Sequence, residues 1–420
     1  MPVRLACLGL AIVAIGLAVT AVHAQGDAAP VTYPEAARRT LQQRPQLRAL
    51  ALQIAAADAR REQAKLKPPL ELVATAEGFG GTGVYRTLDG VEATISLAAV
   101  FERGGKRDAR IVVADRDRVL LDVERRIEAL DVLAETGRRF VAVAAAQDRV
   151  RLATLSVSQA ERTVELVTPR VAAARSPRTE LLNAELQLNE ERLRRDAAIR
   201  ELESAQSELA AQWNEPDARP SVALQLLSVP ATQPFSDLLS QLRSLPDLSR
   251  YAAAAALRDA QVRLVRAQAS ADVRWSLGAR RIQESGDQAL VAGISIPLNA
   301  ARRNKPFERE AQLRRDAVDA EEAVTRLTLE PLLFRQLSLL ATARERIQSV
   351  SDFALPRAEE ALALTERGYR IGRFPYRELA VAQAQVIDLQ AERLDAARQY
   401  HLTRIEIERL TGAQLPLLSE

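Results

Sequence analysis

Apolar residues along 105–174 and 302–370 recur at alternating intervals of three and four, as at Val123, Ile127, Leu130 and Ala134. The same spacing returns at Leu379, Ala382, Val386 and Leu389. This period predicts helices that each carry one narrow apolar stripe, the seam of a coiled coil; a plain helical bundle gives the same period. Length favours the coiled coil, because about 70 residues at about 1.5 Å each span about 100 Å, longer than a single globular core. Pro169, Pro331 and Pro356 fall inside these stretches, and each lacks the N–H that a helix interior needs, so kinks or interruptions are predicted there.

Four shorter stretches switch to a period of two. Leu70, Leu72, Ala74 and Ala76 alternate with Glu71, Val73, Thr75 and Glu77, and Val91, Ala93, Ile95, Leu97 and Ala99 with Glu92, Thr94, Ser96 and Ala98. Later, Val273, Trp275, Leu277 and Ala279 alternate with Arg274, Ser276, Gly278 and Arg280, and Ala292, Ile294 and Ile296 with Val291, Gly293 and Ser295. Such strands present one face to an apolar medium and the other to water. A soluble sheet covered by helices alternates in the same way, but the neighbouring helices are polar on most faces. Each run is about ten residues, the span of a tilted strand across a bilayer. Four strands cannot close a barrel, and an open edge in lipid leaves backbone groups unsatisfied. Three copies would supply twelve strands (3 × 4), enough to enclose an aqueous lumen.

The chain also aligns with itself. Ser158-Gln159-Ala160-Glu161 falls on Pro356-Arg357-Ala358-Glu359, and Pro177-Arg178-Thr179-Glu180-Leu181 on Pro375-Tyr376-Arg377-Glu378-Leu379. The same offset pairs Asn214 with Gly412, residues suited to the left-handed end of a helix. Upstream, Arg44-Pro45-Gln46-Leu47 matches Leu245-Pro246-Asp247-Leu248 at a slightly larger offset. A tandem duplication follows, with a first repeat over 25–214, a linker over 215–233 and a second repeat over 234–420. Each repeat reads as a helix (about 33–67 and 234–270), two strands, a very long helix, a tight turn and a shorter return helix.

Composition supports this reading: 4% aromatic residues and only 17 Gly accompany abundant Ala, Leu, Arg and Glu. The net charge of +3 comes from interleaved signs, a solvated helical surface, and gives little reason to expect a nucleic-acid partner. Residues 1–24 read as a secretory signal peptide, with Arg4, the apolar run 8–22 and a Val22-His23-Ala24 cleavage site. The only cysteine, Cys7, would leave with it; a lipoprotein site at Leu5-Ala6-Cys7 is the competing reading, but it precedes the apolar run. No later stretch is apolar enough for a spanning helix, so any crossing must use strands.

In their order and duplication, these segments resemble the TolC-type outer-membrane efflux family over nearly the whole mature chain. The most similar are Leu355-Pro356-Arg357-Ala358-Glu359-Glu360-Ala361, Gly368-Tyr369-Arg370-Ile371-Gly372-Arg373, Glu378-Leu379-Ala380-Val381-Ala382-Gln383 and Phe101-Glu102-Arg103-Gly104-Gly105-Lys106-Arg107. The resemblance implies a mainly α protomer with a small β part: a homotrimer with a twelve-stranded transmembrane β-barrel, four strands per chain, above a periplasmic tunnel of coiled-coil helices. It implies a passive exit duct in the outer membrane, served by a periplasmic adaptor and an inner-membrane RND-type or ABC pump. Within the family the chain looks closer to the heavy-metal (CzcC-like) branch than to the multidrug branch; ducts for multidrug efflux or type I protein secretion would look much the same.

The resemblance places the functional residues at the two helical turns. Glu180 and Glu378 match acids that ring the channel mouth and select cations; a carboxylate near a helix N-terminus is also favoured by the dipole alone. Tyr369 and Arg373 are candidates for closed-state gating contacts. Arg175, Ser176, Pro177, Arg370, Ile371 and Gly372 form the tips that would dock the adaptor, with Ser176 expected as a helix N-cap. Val381 and Phe374 depart from the best-known gate, which has an acid and an arginine there.

Catalysis finds no support: the mature chain keeps one histidine, His401, and no cysteine, and no cofactor is expected. Gly78, Gly80, Gly81 and Gly83 lack the strand-to-helix context of a phosphate loop and read as an extracellular turn. An adaptor protein would carry one hairpin between β-rich ends, whereas here each of two hairpins follows its own strand pair. A purely structural coiled coil has no use for four amphipathic strands.

Overall fold

The computed structural model describes residues 29–230, 233–243 and 245–412, so the expected signal peptide lies outside the described residues. Helices α1 (Tyr33–Gln43) and α2 (Pro45–Ala64) lead to β1 (Glu71–Glu77) and β2 (Glu92–Phe101), then to α3 (Lys106–Ala172) and α4 (Arg178–Ala210). The same order follows in α5 (Phe235–Arg243), α6 (Pro246–Gln268), β3 (Val273–Ile282), β4 (Gln288–Ser295), α7 (Ala300–Ser349), a π turn (Val350–Ala354), α8 (Leu355–Arg370) and α9 (Tyr376–Thr411). The fold is mainly helical with one small antiparallel sheet.

The helices depart from the sequence reading at prolines. The single helix expected over 33–67 is broken at Arg44, whose ψ of 120° is extended, and the one over 234–270 at Leu245, with ψ 141°. Each broken residue precedes a proline, whose Cδ crowds the α conformation of its neighbour. The long helix expected over 302–370 is interrupted just before Pro356, by the π turn. Pro331 is tolerated inside α7, and Pro169 sits in the last turns of α3.

The four strands pair in the order β1-β2-β3-β4, all antiparallel. Register brings the alternating residues into rows: Leu72 faces Leu97, Leu97 faces Leu277 and Leu277 faces Ala292, while Ile95 faces Ala74 and Ala279, and Trp275 faces Ala99 and Ile294. One face of the sheet is therefore continuously apolar, and it is uncovered; Leu72 and Ile294 are each 76% exposed. The opposite face is polar. There Arg280 donates to Glu92 at 2.6 Å and to Thr94 Oγ1 at 2.9 Å, and Arg274 donates to Glu71 at 2.8 Å.

Away from the sheet, the main core gathers α1, α3, α5, α7 and α9 with the segment after α4, around Tyr33, Phe140, Trp213, Leu226, Leu340 and Tyr400. Tyr33 lies edge-on to Phe140 at 5.8 Å and donates to the Leu133 carbonyl at 3.0 Å. Arg409 grips Asp247 with two bonds, at 2.9 and 3.0 Å, tying α9 to α6. His401 belongs to this core: its Nε2 lies 2.9 Å from the Leu226 carbonyl, and burial holds its pKa below the usual value. The expected seam residues point inward, with Val123, Ala134, Leu379 and Val386 all buried.

Candidate functional site at the helical tips

The α3–α4 and α8–α9 turns have the same backbone, residue for residue along the repeat. In the first, the amide of Arg175 donates to the Arg170 carbonyl at 2.8 Å and that of Ala174 to Val171; in the second, Arg373 donates to Gly368 at 2.8 Å and Gly372 to Tyr369. This is the Schellman ending of a helix, which needs a left-handed residue. Gly372 supplies it with φ 79°, and Ala174 does so with φ 54°. Pro177 and Pro375 then take the N-cap positions of α4 and α9. Ser176 is accordingly not the cap; its hydroxyl turns to Arg170 instead.

A cation absent from the sequence reading, Arg170, organises the site. Its Nη1 donates to the carbonyls of Tyr369 and Arg370 at 2.8 and 3.0 Å, and its Nε to Ser176 Oγ at 3.3 Å. The guanidinium also lies 4.7 Å from the centre of the Tyr369 ring. A positive charge is thus set against the C-terminus of α8, where the orphan carbonyls and dipole favour it. In this half-exposed place each bond contributes on the order of 1 kcal/mol.

The phenol of Tyr369 crosses back to the first hairpin, donating to Glu180 Oε2 at 3.1 Å. Its ring packs edge-on against Tyr376 at 6.4 Å over a small core of Val167, Ala184 and Leu379. Burial raises the Tyr369 pKa above the ordinary phenol value, with the Glu180 charge adding to it and the Ser176 hydroxyl opposing. The hydroxyl therefore stays a donor across the physiological range. Burial likewise raises Tyr376.

The structure brings Glu180, Tyr369 and Ser176 together around Arg170, along with the backbone carbonyl of Arg370, while the side chains of the other expected residues stand apart. Glu378 is exposed in the first turn of α9, and Arg373 is exposed just before it. Arg175, Pro177 and Ile371 project from the tips, Ile371 with 79% of its surface free. Arg370 is held by Glu366 one turn back. Phe374, where the best-known gate has an arginine, folds over Gly368, and its ring leaves no room there for a Cβ. Among the described residues no helix is long and apolar enough to cross a membrane.

Paired helical hairpins with facing tips, set beyond an amphipathic sheet, define a channel-type membrane protein. The model of the outer membrane efflux protein family matches residues 36–215. The cobalt-zinc-cadmium resistance protein CzcC of Cupriavidus metallidurans is 30% identical over 328 residues, covering 76% of this chain and 77% of that protein. The nickel and cobalt resistance protein CnrC of the same organism is 27% identical over 74% and 75% of the two. The solved structure of CusC superposes with a TM-score of 0.76 over 90% of this chain and 92% of that one, at 16% identity. The chain belongs to the outer membrane efflux protein family, and its relatives include heavy-metal resistance proteins.

Proposed function

We propose that three copies of this chain assemble into a passive exit duct for divalent heavy-metal cations, spanning the outer membrane and the periplasm. The observation that carries this reading is the sheet: four strands with one uncovered apolar face, a salt-bridged polar face, and β1 and β4 at its two edges. An apolar face of this kind suits lipid, and edges in lipid must be paired. Three sheets joined edge to edge give twelve strands (3 × 4), with Arg274 and Arg280 turned to the lumen. A second exposed seam supports assembly: Leu313, Val324, Leu327 and Phe334 follow heptad spacing along α7 and lie open on the surface.

The tips close the far end. Arg170, Ser176, Tyr369 and Glu180 latch the second hairpin to the first, and Glu378 and Arg373 face the mouth. Rings of Glu180 and Glu378 concentrate cations and repel anions. Arg175, Pro177, Ile371 and Gly372 offer the surface for a periplasmic adaptor, itself joined to an inner-membrane pump that supplies the energy. Residues 1–24 direct export and are removed, and the repeats 25–214 and 234–420 each supply one hairpin and one strand pair. In a metal-sensitive host that carries the cognate pump and adaptor, the chain restores zinc or cobalt tolerance. Restored tolerance to organic drugs without any gain against metals would contradict the cargo.

A further inference from the structure

The backbones of the two hairpins part midway along their outgoing helices. In the first, α3 runs unbroken through 152–156; in the second, the matching stretch is the π turn Val350–Ala354. There the amide of Leu355 donates to the Val350 carbonyl, five residues back, and Pro356 has no amide to donate. The Phe353 carbonyl is met by a side chain, Arg357 Nη1 at 3.2 Å, and the same guanidinium lies 3.6 Å from the centre of the exposed Phe353 ring. Inward, Val350, Leu355 and Ala358 stay packed on Val386 of α9. The turn is thus anchored on its inner side and open on its outer side.

Bending a two-helix hairpin requires its outer and inner helices to differ in length. For axes about 9 Å apart, a bend of about 10° needs about 1.6 Å, close to the rise of one helical residue. A π turn holds about one residue more than an α turn and can release or absorb that length without breaking the flanking helices. We propose that Val350–Ala354 is the length reservoir on which the second hairpin bends when the tip latch opens, so that its tip moves while the first tip stays in place. This rests on the latch described above. Over the 16 residues of α8, such a bend carries the tip about 4 Å sideways.

Spin labels at Arg175→Cys and Ile371→Cys, in protein diluted with unlabelled chain, read the separation of the two tips within one protomer. Arg170→Ala is expected to lengthen it by about 4 Å and to raise conductance in planar bilayers. Deleting Ser351 in that background, which draws the π turn into an α turn, is expected to restore the native separation. A lengthening that survives the deletion, or a conductance rise without lengthening, overturns the reservoir and leaves the duct standing. Arg170→Ala that changes neither quantity overturns the latch, and the reservoir with it. Should the deletion variant not fold, amide exchange of the unaltered protein decides: residues 351–357 are expected to exchange at least tenfold faster than 153–159, and equal protection overturns the proposal.

Discussion

Ala174 stands where its counterpart along the repeat is Gly372, and both carry positive φ. A side chain in the left-handed region costs about 1–2 kcal/mol, partly offset by the freer unfolded state of glycine. Ala174→Gly should therefore raise stability by about 1 kcal/mol in thermal melts, and Gly372→Ala should lower it by a similar amount. Glu408 offers a test of the core. It is buried, with Arg404 Nε 3.1 Å from one carboxylate oxygen and no partner on the other, and burial pushes its pKa up to about 7. Because the folded state holds this proton more tightly than the unfolded chain, the contribution of Glu408 to stability is greatest below about pH 4.5 and falls as pH rises to about 7, by at most about 3 kcal/mol. Glu408→Gln should flatten that decline and melt higher at pH 8; an unchanged pH profile would contradict it. At this scale the sequence was a partial guide. Glu180 stands out through the repeat and the resemblance and Tyr369 through the resemblance, but Arg170 through neither: its counterpart is Gly368, so duplication gives no hint of it. Only its place one turn before the tip, where a cation can meet carbonyls of the facing helix, could have raised it.

Among the elements, the strands were the most legible, since period two survives into register and the four runs end within a few residues of their expected limits. The helix breaks at Arg44 and Leu245 were readable from the prolines that follow them, yet the apolar period runs across both and conceals them. The π turn leaves no periodic trace, because one extra residue only shifts the stripe. The apolar row through Leu72, Leu97, Leu277 and Ala292 predicts a one-sided response. Leu277→Arg should cost about 2–4 kcal/mol of stability in lipid, whereas Ser276→Lys, on the opposite face, should be tolerated; equal effects would remove the lipid assignment. For the tips, Glu180→Gln combined with Glu378→Gln should reduce the preference for cations over anions in planar bilayers. Unchanged selectivity would take both acids out of the mouth.

At the scale of the molecule, one chain is visibly incomplete. Its sheet has an uncovered apolar face and two edges, and α7 presents an exposed heptad seam. The proposed assembly would satisfy all of them at once: with further copies of the same chain, strand edges would pair, seams would close and the polar sheet face would line a lumen. The most direct measurement is the behaviour of the purified protein in a lipid film. A heat-modifiable oligomer of three chains, taken from the outer-membrane fraction and conducting ions in discrete steps, is the expected result; a compact, water-soluble monomer that never conducts would contradict the proposed duct.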